Sequence, residues 1–451
     1  MNYKTLLITG GAGFIGSNFV VNFLESNPDT NLINLDLMTY AGDKANLLEV
    51  EGNSRYTFIK GDICDRALVE KLFTNYKING VIHFAAESHV DNSIKNPGVF
   101  IETNVRGTFT LIDVAYKYWM DKPFQYKDEF RNCRFLHIST DEVYGTLGET
   151  GLFTEKTPYA PNSPYSASKA GSDMIVRSYH HTYGLNTIIT NCSNNYGPRQ
   201  HDEKLIPTVI RKAINNEEIP IYGDGKNVRD WLYVDDHCKG IELAYKTGRA
   251  GETYNIGGRN ERDNNYIAHK ICEILDGLNP KRKGSYHDQI TYVEDRAGHD
   301  RRYAIDATKL ENQLGWKADE NFESGIENWT LNGSWGLTED ASGGDYALTD
   351  SPDGDYEPGQ QTAAEFSFSV NETFLANPKI TYNAKWDIHS NRDFVRIQAF
   401  TENEGWVSLQ GDYTVSGSGQ STQPYGEHGY DGFQEDWVFE IIYFWIIGFI
   451  S

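Results

Sequence analysis

The first half of the chain alternates between short apolar runs and longer segments in which apolar residues recur with a helical period. The apolar runs are predicted to be buried strands, and they cover residues 4–9, 31–36, 56–62, 80–86, 134–140 and 186–191. Helical periodicity lies between these runs, in segments such as 15–26, 66–76 and 99–120. Continuous apolar strands that alternate with helices predict a parallel sheet covered on both faces, the doubly wound, Rossmann-type α/β fold. We assign this domain to residues 1–191.

The pattern becomes less regular after residue 191, where helical segments lie at 205–216, 235–247 and 264–276. This change predicts a smaller α/β lobe, over residues 192–320, that closes over the edge of the sheet. Parallel α/β sheets bind ligands outside the carboxyl ends of their strands, so we expect this lobe to bind the substrate.

A second change of character occurs near residue 321. Glycine, serine, aspartate and aromatic residues become frequent, and turn signals separate short alternating stretches at 363–370, 379–386 and 394–400. Short alternating strands at this spacing predict an all-β sandwich of the jelly-roll type. We therefore assign a junction to 321–330, a β-sandwich accessory domain to 331–440, and an apolar tail of unassigned structure to 441–451.

The net charge of −23 is concentrated toward the carboxyl-terminal part of the chain. Residues 321–451 contain 21 acidic and 4 basic residues, whereas residues 1–320 contain 43 and 37. Neither part contains a basic stripe, so nucleic acid is not expected as a partner.

The cysteine pattern and the two ends of the chain indicate a cytoplasmic protein. The five cysteines are odd in number and widely spaced, which favours reduced thiols and argues against a disulfide framework or a zinc site. The first predicted strand begins without a charged and apolar signal sequence before it. The apolar run at 439–451 is shorter than the roughly 20 residues of a membrane-spanning helix, so no membrane anchor is expected.

Three glycines, Gly10, Gly13 and Gly16, follow the first predicted strand and open a helix. Such a loop lets backbone N–H groups and a helix amino terminus approach a pyrophosphate, although tight turns also require glycine. Asp36 ends the second strand, where an acid binds the ribose hydroxyls of NAD. Asp62–Ile63 ends the third strand, where the adenine is expected. An acid rather than an arginine at position 36 indicates NAD rather than NADP.

A second motif, Tyr165-x-x-x-Lys169, lies on a predicted helix. Residues four apart share a helical face, so the ammonium group is expected to lower the pKa of the phenol. A tyrosine with a lowered pKa can act as a base at neutral pH. The alternative interpretation is that Tyr165 and Lys169 form an ordinary pair on the protein surface. The glycine loop earlier in the chain makes this alternative less favoured.

Two neighbouring carboxylates, Asp141 and Glu142, follow the strand predicted at 134–140. Successive side chains of a strand point to opposite faces, so both can serve one ligand only if the strand has ended and the chain is turning. Two adjacent carboxylates in a partly dry cleft disfavour each other's ionisation. One can then stay protonated as an acid while the other acts as a base, whereas a solvated acidic turn is the alternative.

Several motifs together resemble the dTDP-glucose 4,6-dehydratase family of the extended short-chain dehydrogenase/reductase superfamily. They are TGGAGFIGS (9–17), TYAG (39–42), HFAAESHVDNS (83–93), STDEVYG (139–145), YSASK (165–169), CSNNYGP (192–198), EKLIP (203–207), IYGDGKNVRDWLYVDDH (221–237) and RAGHDRRYAID (296–306). The similarity covers roughly residues 3–327, and the segment 199–202 is unusually polar for the family.

The resemblance implies a role for each of the candidate site residues. Tyr165, helped by Lys169, deprotonates the sugar C4 hydroxyl, Thr140 steadies the C4 oxygen, Glu142 removes the C5 proton and Asp141 protonates the departing C6 hydroxyl. The residues expected at NAD are Gly10, Gly13, Phe14, Ile15, Gly16, Asp36, Thr39, Asp62, Ile63, Ala85, Ala86, Thr103, Tyr165, Lys169 and Asn195. Those expected at the nucleotide-sugar are Glu87, Ser88, Asn194, Lys204, Leu205, Arg229, Asn264, Arg296 and His299.

Alternatives stay open at the level of sequence. An epimerase or decarboxylase of the same superfamily shares the glycine loop and the Tyr-Lys pair, but it needs no acid–base pair after the fifth strand. A carbohydrate- or partner-binding protein with an inactive enzyme half is a second alternative. Arg229 has an alternative role in a helix-packing ion pair. The family also implies a homodimer, formed through the enzyme domain.

The segment after residue 327 departs from the family. It resembles a MAM-like or jelly-roll accessory domain of secreted bacterial proteins, so the chain is interpreted as a fusion, either natural or an artefact of sequence assembly. The acidic turns around Asp350–Asp355 are candidates for Ca²⁺ binding, with solvated loops as the commoner alternative. No metal is assigned to the enzyme part.

Overall fold

The computed structural model describes residues 4–318 continuously and shorter stretches beyond them. These stretches are 329–332, 336–338, 347–349, 363–366, 379–387, 395–401, 405–408, 410, 413–417, 428–431 and 433–443. The chain divides into two compact units, residues 1–320 and residues 321–451.

The helices of the first unit lie close to the segments in which helical periodicity was found. They are α1 Phe14–Ser26, α2 Arg66–Tyr76, α3 Val90–Lys95, α4 Pro97–Phe100, α5 Thr108–Trp119, α6 Pro164–Tyr183, α7 Leu205–Ile214, α8 Val234–Thr247, α9 Asn264–Leu278 and α10 Thr308–Leu314. A π-helical segment, Ile101–Gly107, joins α4 to α5, so the helix predicted at 99–120 is nearly continuous.

The strands of the first unit include all six that were predicted, with small differences at their ends. They are β1 Thr5–Thr9, β2 Asn31–Asp36, β3 Tyr56–Lys60, β4 Gly80–His83, β5 Met120–Lys122, β6 Gln125–Tyr126, β7 Arg134–Thr140, β8 Thr187–Cys192, β9 Asn194–Tyr196, β10 Ile219–Tyr222, β11 Val228–Tyr233, β12 Thr253–Ile256, β13 Glu261–Asp263 and β14 Ile290–Val293.

Seven strands form one large parallel sheet in the order β12-β8-β7-β4-β1-β2-β3. Alternate residues of the central strands pack into two separate apolar layers. In β1, Leu6 and Ile8 join the layer that contains α1 and α8, whereas Leu7 joins the layer that contains α2, α5 and α6. The expected Rossmann-type sheet with helices on both faces is therefore confirmed.

The seventh strand of this sheet, β12, was not predicted from the sequence. It contains only four residues, and it follows α8, whose residues Ile241, Ala244 and Tyr245 pack against the same layer as α1. The chain thus returns to the large sheet after residue 192, and residues of the expected lobe contribute to both parts.

The remaining elements after residue 192 form small sheets beside the large one. One has the order β13-β11-β9, and the other pairs β10 with β14 in parallel. A separate apolar cluster joins α7, α9 and β10, with Val209, Ile219 and Ala268 among its fully buried residues. This lobe therefore has a small core of its own.

The described residues of the second unit form antiparallel strand pairs. The strands are β15 Trp329–Asn332, β16 Gly336–Thr338, β17 Ala347–Thr349, β18 Ala363–Phe366, β19 Lys379–Asp387, β20 Gln398–Thr401, β21 Gly405–Ser408, β22 Val415–Ser416, β23 His428–Gly429 and β24 Phe433–Tyr443. The pairs are β15 with β18, β16 with β17, β19 with β24, β20 with β21, and β22 with β23. The jelly-roll connectivity stays a prediction.

The described residues of the second unit bear on the predicted apolar tail but not on the predicted calcium-binding turns. Strand β24 runs through residues 441–443, so the first part of the predicted tail continues a strand of the β unit. The acidic turns at Asp350–Asp355 lie outside the described residues.

The structure can be compared with what the sequence predicts about disulfides, metal sites and membrane-spanning helices. All five cysteines are free thiols. In the part of the chain that the structure describes, no group of three or more His, Cys, Asp or Glu side chains is arranged to hold a metal ion. Among the same residues, no helix is long and apolar enough to cross a membrane.

Arg134, at the start of β7, ties the central sheet to the carboxyl end of α8. Its buried guanidinium donates to the carbonyl oxygens of Tyr245 and Gly248 at 2.5 and 2.7 Å and to Asn186 Oδ1 at 3.1 Å. The last carbonyls of a helix have no partners within the helix, so this side chain supplies them.

We expect Arg134→Met to lower the free energy of unfolding by about 3 kcal/mol, because buried carbonyl oxygens lose charged donors. Denaturant unfolding measures this effect. The matched control is Arg131→Met, which removes an exposed pair with Asp128 and is expected to change stability by less than about 0.5 kcal/mol. Equal effects of the two substitutions would contradict the assignment.

Candidate active site

The two candidate carboxylates lie on a turn that begins where β7 ends. All seven residues of β7 are buried, and the chain then forms a 3-10 turn over Asp141–Tyr144. Gly145 ends this turn with φ of +88°, and a side chain there would collide with the carbonyl oxygen of Ala160. Asp141 and Glu142 therefore do not alternate as strand residues do, as the sequence required if both were to serve one ligand.

Asp141 is withdrawn from water more completely than a solvated turn allows. Its side chain is 1 % exposed, and its Oδ2 atom has no hydrogen-bond partner among the described residues. Burial, followed by the charges of Glu142 and Asp230, raises the pKa of Asp141 well above its usual value, and Arg229 offsets this only in part. The carboxyl group therefore favours its protonated form more than a solvated aspartate does.

Glu142 is half-buried beside Asp141, but more cations surround it. Burial raises the pKa of Glu142, and the positive charges of Arg296, Arg229 and Lys204 lower it. Because these cations favour the ionised form, Glu142 gives up its proton more readily than Asp141. The two carboxyl groups therefore differ in the direction that an acid and a base require.

Tyr165 lies on α6 beside the same turn. Its side chain is buried against Val90 and Phe100, and its hydroxyl forms a hydrogen bond with the side chain of Thr140. The Thr140 hydroxyl in turn donates to Asp141 Oδ1 at 3.4 Å and accepts the Glu142 backbone N–H at 3.3 Å. The Thr140 hydroxyl thus connects Tyr165 to Asp141.

The expected influence of Lys169 on the pKa of Tyr165 is not found. Burial, followed by the charge of Glu142, raises the pKa of Tyr165 well above its usual value. Lys169 Nζ instead donates to the carbonyl oxygen of Ile138 at 2.7 Å and lies 3.4 Å from His137 Nε2. The ammonium is directed toward the strand, so sharing a helical face did not suffice to pair the two groups. Because Tyr165 and Lys169 are both buried, the surface-pair interpretation is also wrong.

Two buried residues that the sequence analysis did not select surround Lys169. His137 Nε2 lies 3.2 Å from Asp173 Oδ1, and Asp173 Oδ2 accepts the Ser139 hydroxyl at 2.7 Å and the Tyr159 hydroxyl at 3.0 Å. Burial lowers the pKa of Lys169 to about 8 and raises that of Asp173 to about 6. A signal existed in the sequence, since His137 interrupts an apolar strand and Asp173 follows Lys169 by one helical turn.

The glycine loop has the geometry of a phosphate-binding turn. Gly10 has φ of +75°, and a Cβ there would lie 2.6 Å from the backbone nitrogen of Ala85. Gly13 precedes α1 and has no side chain to cap the helix, so the first N–H groups of the helix are available to an anion. Phe14, Ile15 and Gly16 form the first turn of this helix. These residues fit the pyrophosphate of a dinucleotide.

Asp36 ends β2 as predicted, and its carboxylate orders the loop around it. Its Oδ2 accepts the N–H of Ala12 at 2.9 Å, and its Oδ1 accepts the N–H of Met38 at 2.7 Å. A carboxylate has about four acceptor positions, so it can still accept ribose hydroxyls. Thr39 follows in the same loop, where its carbonyl oxygen accepts the N–H of Gly42.

The other residues expected at NAD lie on neighbouring loops. Strand β3 ends at Lys60, so Asp62 and Ile63 follow the strand by two and three residues rather than ending it. Asp62 Oδ1 accepts the Cys64 N–H at 2.8 Å, which turns the chain toward α2. Ala85 and Ala86 follow β4, Thr103 lies in the π-helical segment, and Asn195 Oδ1 lies 2.8 Å from His237 Nδ1.

Arg229 is a residue of β11, not of a helix. Its guanidinium lies over the Tyr303 ring at 4.3 Å and donates to the carbonyl oxygens of Val228 and Asp300 at 2.7 and 3.0 Å. These contacts hold a buried cation close enough to Asp141 and Glu142 to act on the pKa of each. The helix-packing ion pair that the sequence left open for Arg229 is therefore not formed.

Glu87 and Ser88 lie on the loop after β4, and Asn104 fixes this loop. The Asn104 side chain accepts the Glu87 N–H at 2.8 Å and donates to the Glu87 carbonyl oxygen at 2.9 Å. Lys204 Nζ lies 3.4 Å from the Ser88 carbonyl oxygen. Asn104 was missed by the sequence analysis, because nothing distinguishes it from other helical asparagines.

The remaining substrate candidates lie around this loop or on the small sheets. Arg296 Nη1 donates to Asp91 Oδ1 at 3.3 Å, and its Nε atom is buried without a partner among the described residues. His299 Nδ1 lies 2.6 Å from Asp295 Oδ1. Asn194 begins β9, Leu205 begins α7 and packs against its apolar cluster, and Asn264 begins α9.

The polar segment Pro198–Lys204 contacts α1, the 3-10 helix that contains Glu49, and the loops after β2 and β4. Arg199 bonds to Asn18 of α1 and to Glu49, and Asn18 Nδ2 donates to the Pro198 carbonyl oxygen at 3.0 Å. His201 packs edge-on against Tyr40, with ring centroids 5.8 Å apart. Lys204, the last residue of the segment, contacts the loop after β4. We call this segment the strap.

Comparisons with known proteins show which family the first unit resembles. The family model described as GDP-mannose 4,6 dehydratase matches residues 7–329. A dTDP-glucose 4,6-dehydratase of Xanthomonas campestris pv. campestris (strain B100) is 56% identical over 335 residues, which are 74% of this chain and 93% of the relative. The chain belongs to the dTDP-glucose 4,6-dehydratase family. The family enzyme of Escherichia coli (strain K12) described as dTDP-glucose 4,6-dehydratase 1 is 52% identical, over 73% of this chain and 94% of the relative.

Solved structures of this family share the fold of the first unit. The dTDP-glucose 4,6-dehydratase of Bacillus anthracis str. Ames, in complex with NAD, is 44% identical with a TM-score of 0.62, over 71% of this chain and 94% of that chain. A family member of Streptomyces venezuelae with NAD bound is 45% identical with a TM-score of 0.64, over the same shares. A UDP-glucose 4-epimerase from Thermotoga maritima has a TM-score of 0.61 but only 29% identity, over 71% of this chain and 96% of that chain.

The burial of Asp141 predicts a pH-dependent effect on stability. The folded protein keeps a proton that the unfolded chain releases above a pKa of about 3.9. This contribution to stability is complete below that pKa. It is lost as the pH rises through the pKa of Asp141 in the folded protein.

We expect Asp141→Asn, which cannot ionise, to gain unfolding free energy relative to the wild type as the pH rises from about 5 to about 8. Denaturant unfolding at both pH values measures the difference. Asp121→Asn, on the exposed part of β5, is the matched control. If the difference for Asp141→Asn is the same at both pH values, the buried acid is not protonated as described.

Proposed function

We propose that the protein is an NAD-dependent dTDP-glucose 4,6-dehydratase, a hydro-lyase of deoxysugar biosynthesis. It converts dTDP-glucose to dTDP-4-dehydro-6-deoxy-glucose and water. The observation that carries this proposal is the pair of adjacent carboxyl groups at Asp141 and Glu142, with unequal surroundings, beside Tyr165. Relatives that are 50–56% identical bear the same name, which supports the assignment.

NAD fits the groups that the first unit offers. We assign its pyrophosphate to the Gly10–Gly16 loop and the amino terminus of α1, and its ribose to Asp36. Relatives were solved with NAD bound. When bound, NAD accepts the hydride from sugar C4 and returns it to C6, so the reaction has no net oxidation. The chain's own residues then need only to move protons and to hold the sugar.

The resemblance implies the role of Tyr165 in the proton transfers, and the surroundings of the two carboxyl groups support theirs. Tyr165 takes the proton of the C4 hydroxyl, and the resulting ketone makes the C5 proton removable. Glu142 removes that proton because nearby cations favour its ionised form. Asp141, which keeps its proton, donates to the departing C6 hydroxyl. We assign to Thr140 the task of steadying the C4 oxygen, since its hydroxyl already contacts Tyr165.

The substrate diphosphate requires cations on the lobe side of the site. We assign it to Arg229, Arg296 and Lys204, whose charges already act on Glu142. The unpartnered Nε of Arg296 is one donor available to a phosphate oxygen. Asn194, Leu205, Asn264 and His299 complete the proposed nucleotide site, and Glu87 and Ser88 the sugar site.

An epimerase shares the fold but is less well supported. Inverting a carbon through a ketone needs hydride removal and return at the same carbon, with no leaving group to protonate. It therefore needs no buried acid such as Asp141. The sequence identity to dehydratases also exceeds that to the Thermotoga maritima epimerase by a wide margin.

We assign residues 331–440 to a β-sandwich accessory domain, supported by the antiparallel pairs among its described strands. The enzyme domain is proposed to form a homodimer, as the resemblance implies. Size measurement of the purified chain tests the dimer.

The direct test of activity incubates the purified protein with NAD and dTDP-glucose. The expected product is a 4-keto-6-deoxy sugar nucleotide that absorbs near-ultraviolet light in alkali. UDP-glucose 4-epimerase activity, measured in parallel with UDP-glucose, is expected to be absent. Formation of a C4 epimer without the keto product would instead favour the epimerase.

Glu142→Gln is expected to lower kcat by about 10²–10⁴-fold, because the amide cannot accept the C5 proton. The assay is the same alkali absorbance. Glu149→Gln, an exposed position just beyond the turn, is the control and is expected to retain full activity. Unchanged turnover in Glu142→Gln would remove Glu142 from the role of base.

Arg199→Ala is expected to release NAD about tenfold faster, since the strap loses charged hydrogen bonds to α1 and to Glu49. The measurement is the rate at which labelled NAD leaves the purified holoenzyme in excess unlabelled NAD. Arg282→Ala, at an exposed position on the lobe, is the control. Equal release rates in both variants would show that the strap does not retain the cofactor.

A further inference from the structure

The proposed reaction leaves two residues in the wrong protonation state after each cycle. Tyr165 gains the proton of the C4 hydroxyl, and the product keeps a ketone at C4. Asp141 loses a proton when the C6 hydroxyl departs as water. Glu142 takes a proton from C5 and gives one back to C5 when the hydride reaches C6, so it ends unchanged. The hydride lost at C4 is gained at C6, and no external oxidant or reductant is consumed.

The second cycle therefore requires that one proton leave Tyr165 and one proton reach Asp141. Both groups are buried, with exposed fractions of 9% and 1%, so direct exchange with bulk water is restricted. A single transfer from Tyr165 to Asp141 satisfies both requirements at once. It needs one group that can accept a proton on one side and donate one on the other.

Thr140 has these contacts on both sides. Its hydroxyl forms a hydrogen bond with the Tyr165 hydroxyl, and it donates to Asp141 Oδ1 at 3.4 Å. The backbone N–H of Glu142 donates to Thr140 Oγ1 at 3.3 Å, which fixes the position of the hydroxyl. Asp141 Oδ2 is left without a partner among the described residues and can face the departing hydroxyl.

We propose that the hydroxyl of Thr140 passes the proton from Tyr165 back to Asp141 and so resets the site between turnovers. The Tyr165 O–H bond breaks as a bond to Thr140 Oγ1 forms, and the Thr140 proton moves to Asp141 Oδ1. Rotation of the Asp141 carboxyl group then presents the proton on the side of the unpartnered oxygen. The proposal rests on the proposed function, because the proton count is that of a 4,6-dehydratase.

The test compares the first turnover with later turnovers in Thr140→Val. The holoenzyme is mixed with less than one equivalent of dTDP-glucose in a rapid-quench experiment, which gives the rate of a single turnover. Steady-state kcat is measured on the same preparation. We expect kcat to fall at least about tenfold further than the single-turnover rate, so that excess substrate gives a burst of one product per enzyme.

A second readout separates proton return from support of the C4 oxygen. A small buffer such as imidazole can carry protons in place of the missing hydroxyl, so kcat of Thr140→Val is expected to rise with buffer concentration. Thr140→Ser restores the hydroxyl and is expected to bring kcat back to within about threefold of the wild type, without a buffer effect.

Thr190→Val is the matched control, and Thr140→Ala is a second variant in case Thr140→Val does not fold. Thr190 lies on β8 opposite Ile138, and its buried hydroxyl has no hydrogen-bond partner among the described residues. Thr190→Val is therefore expected to change neither the single-turnover rate nor kcat. NAD content and unfolding temperature show whether each variant is folded.

The outcomes distinguish this proposal from the proposed function. Absence of the keto product with the wild type overturns the dehydratase assignment itself. If the wild type is active, a parallel loss of the single-turnover rate and kcat, with no burst and no buffer effect, overturns the proton return. Unchanged kinetics in Thr140→Val and Thr140→Ala overturn it as well.

Discussion

Two adjacent carboxyl groups are held out of water at the carboxyl end of β7, and the rest of the site follows from the cost of ionising both. Burial raises the pKa of each, and the charge of Glu142 raises that of Asp141 further. Arg296, Arg229 and Lys204 all lower the pKa of Glu142, whereas Arg229 is the cation that offsets the shift of Asp141. All three cations belong to the part of the chain after residue 192. In the proposed mechanism, their charges make Glu142 rather than Asp141 the base.

The same constraint explains how Arg229 is held. A guanidinium brought close to buried carboxyl groups must itself be desolvated, and it is supported by two carbonyl oxygens and the Tyr303 ring. On α6, the buried Lys169 donates to the Ile138 carbonyl oxygen and lies beside His137, which in turn contacts Asp173. Each of these buried charged groups thus has polar partners that make its burial tolerable.

Much of this arrangement could be predicted from the sequence, because the chemistry depends on residue types at fixed positions after apolar strands. Strands 31–36 and 134–140 were placed correctly, since each is a continuous apolar run. Strand β12 was missed because it is short and contains Asn255, which is buried only because Tyr144 and the Phe153 carbonyl oxygen satisfy its side chain. The orientation of Lys169 was also missed, since it depends on the neighbouring strand rather than on helical spacing.

An acid and a base at this turn require that Asp141 is protonated while Glu142 is ionised at neutral pH. Infrared difference spectroscopy of the carboxyl carbonyl stretch measures this difference when the wild type is compared with Asp141→Asn and Glu142→Gln. We expect a protonated-carboxyl band at neutral pH that Asp141→Asn removes and Glu142→Gln retains. A band that Glu142→Gln removes and Asp141→Asn retains would contradict it.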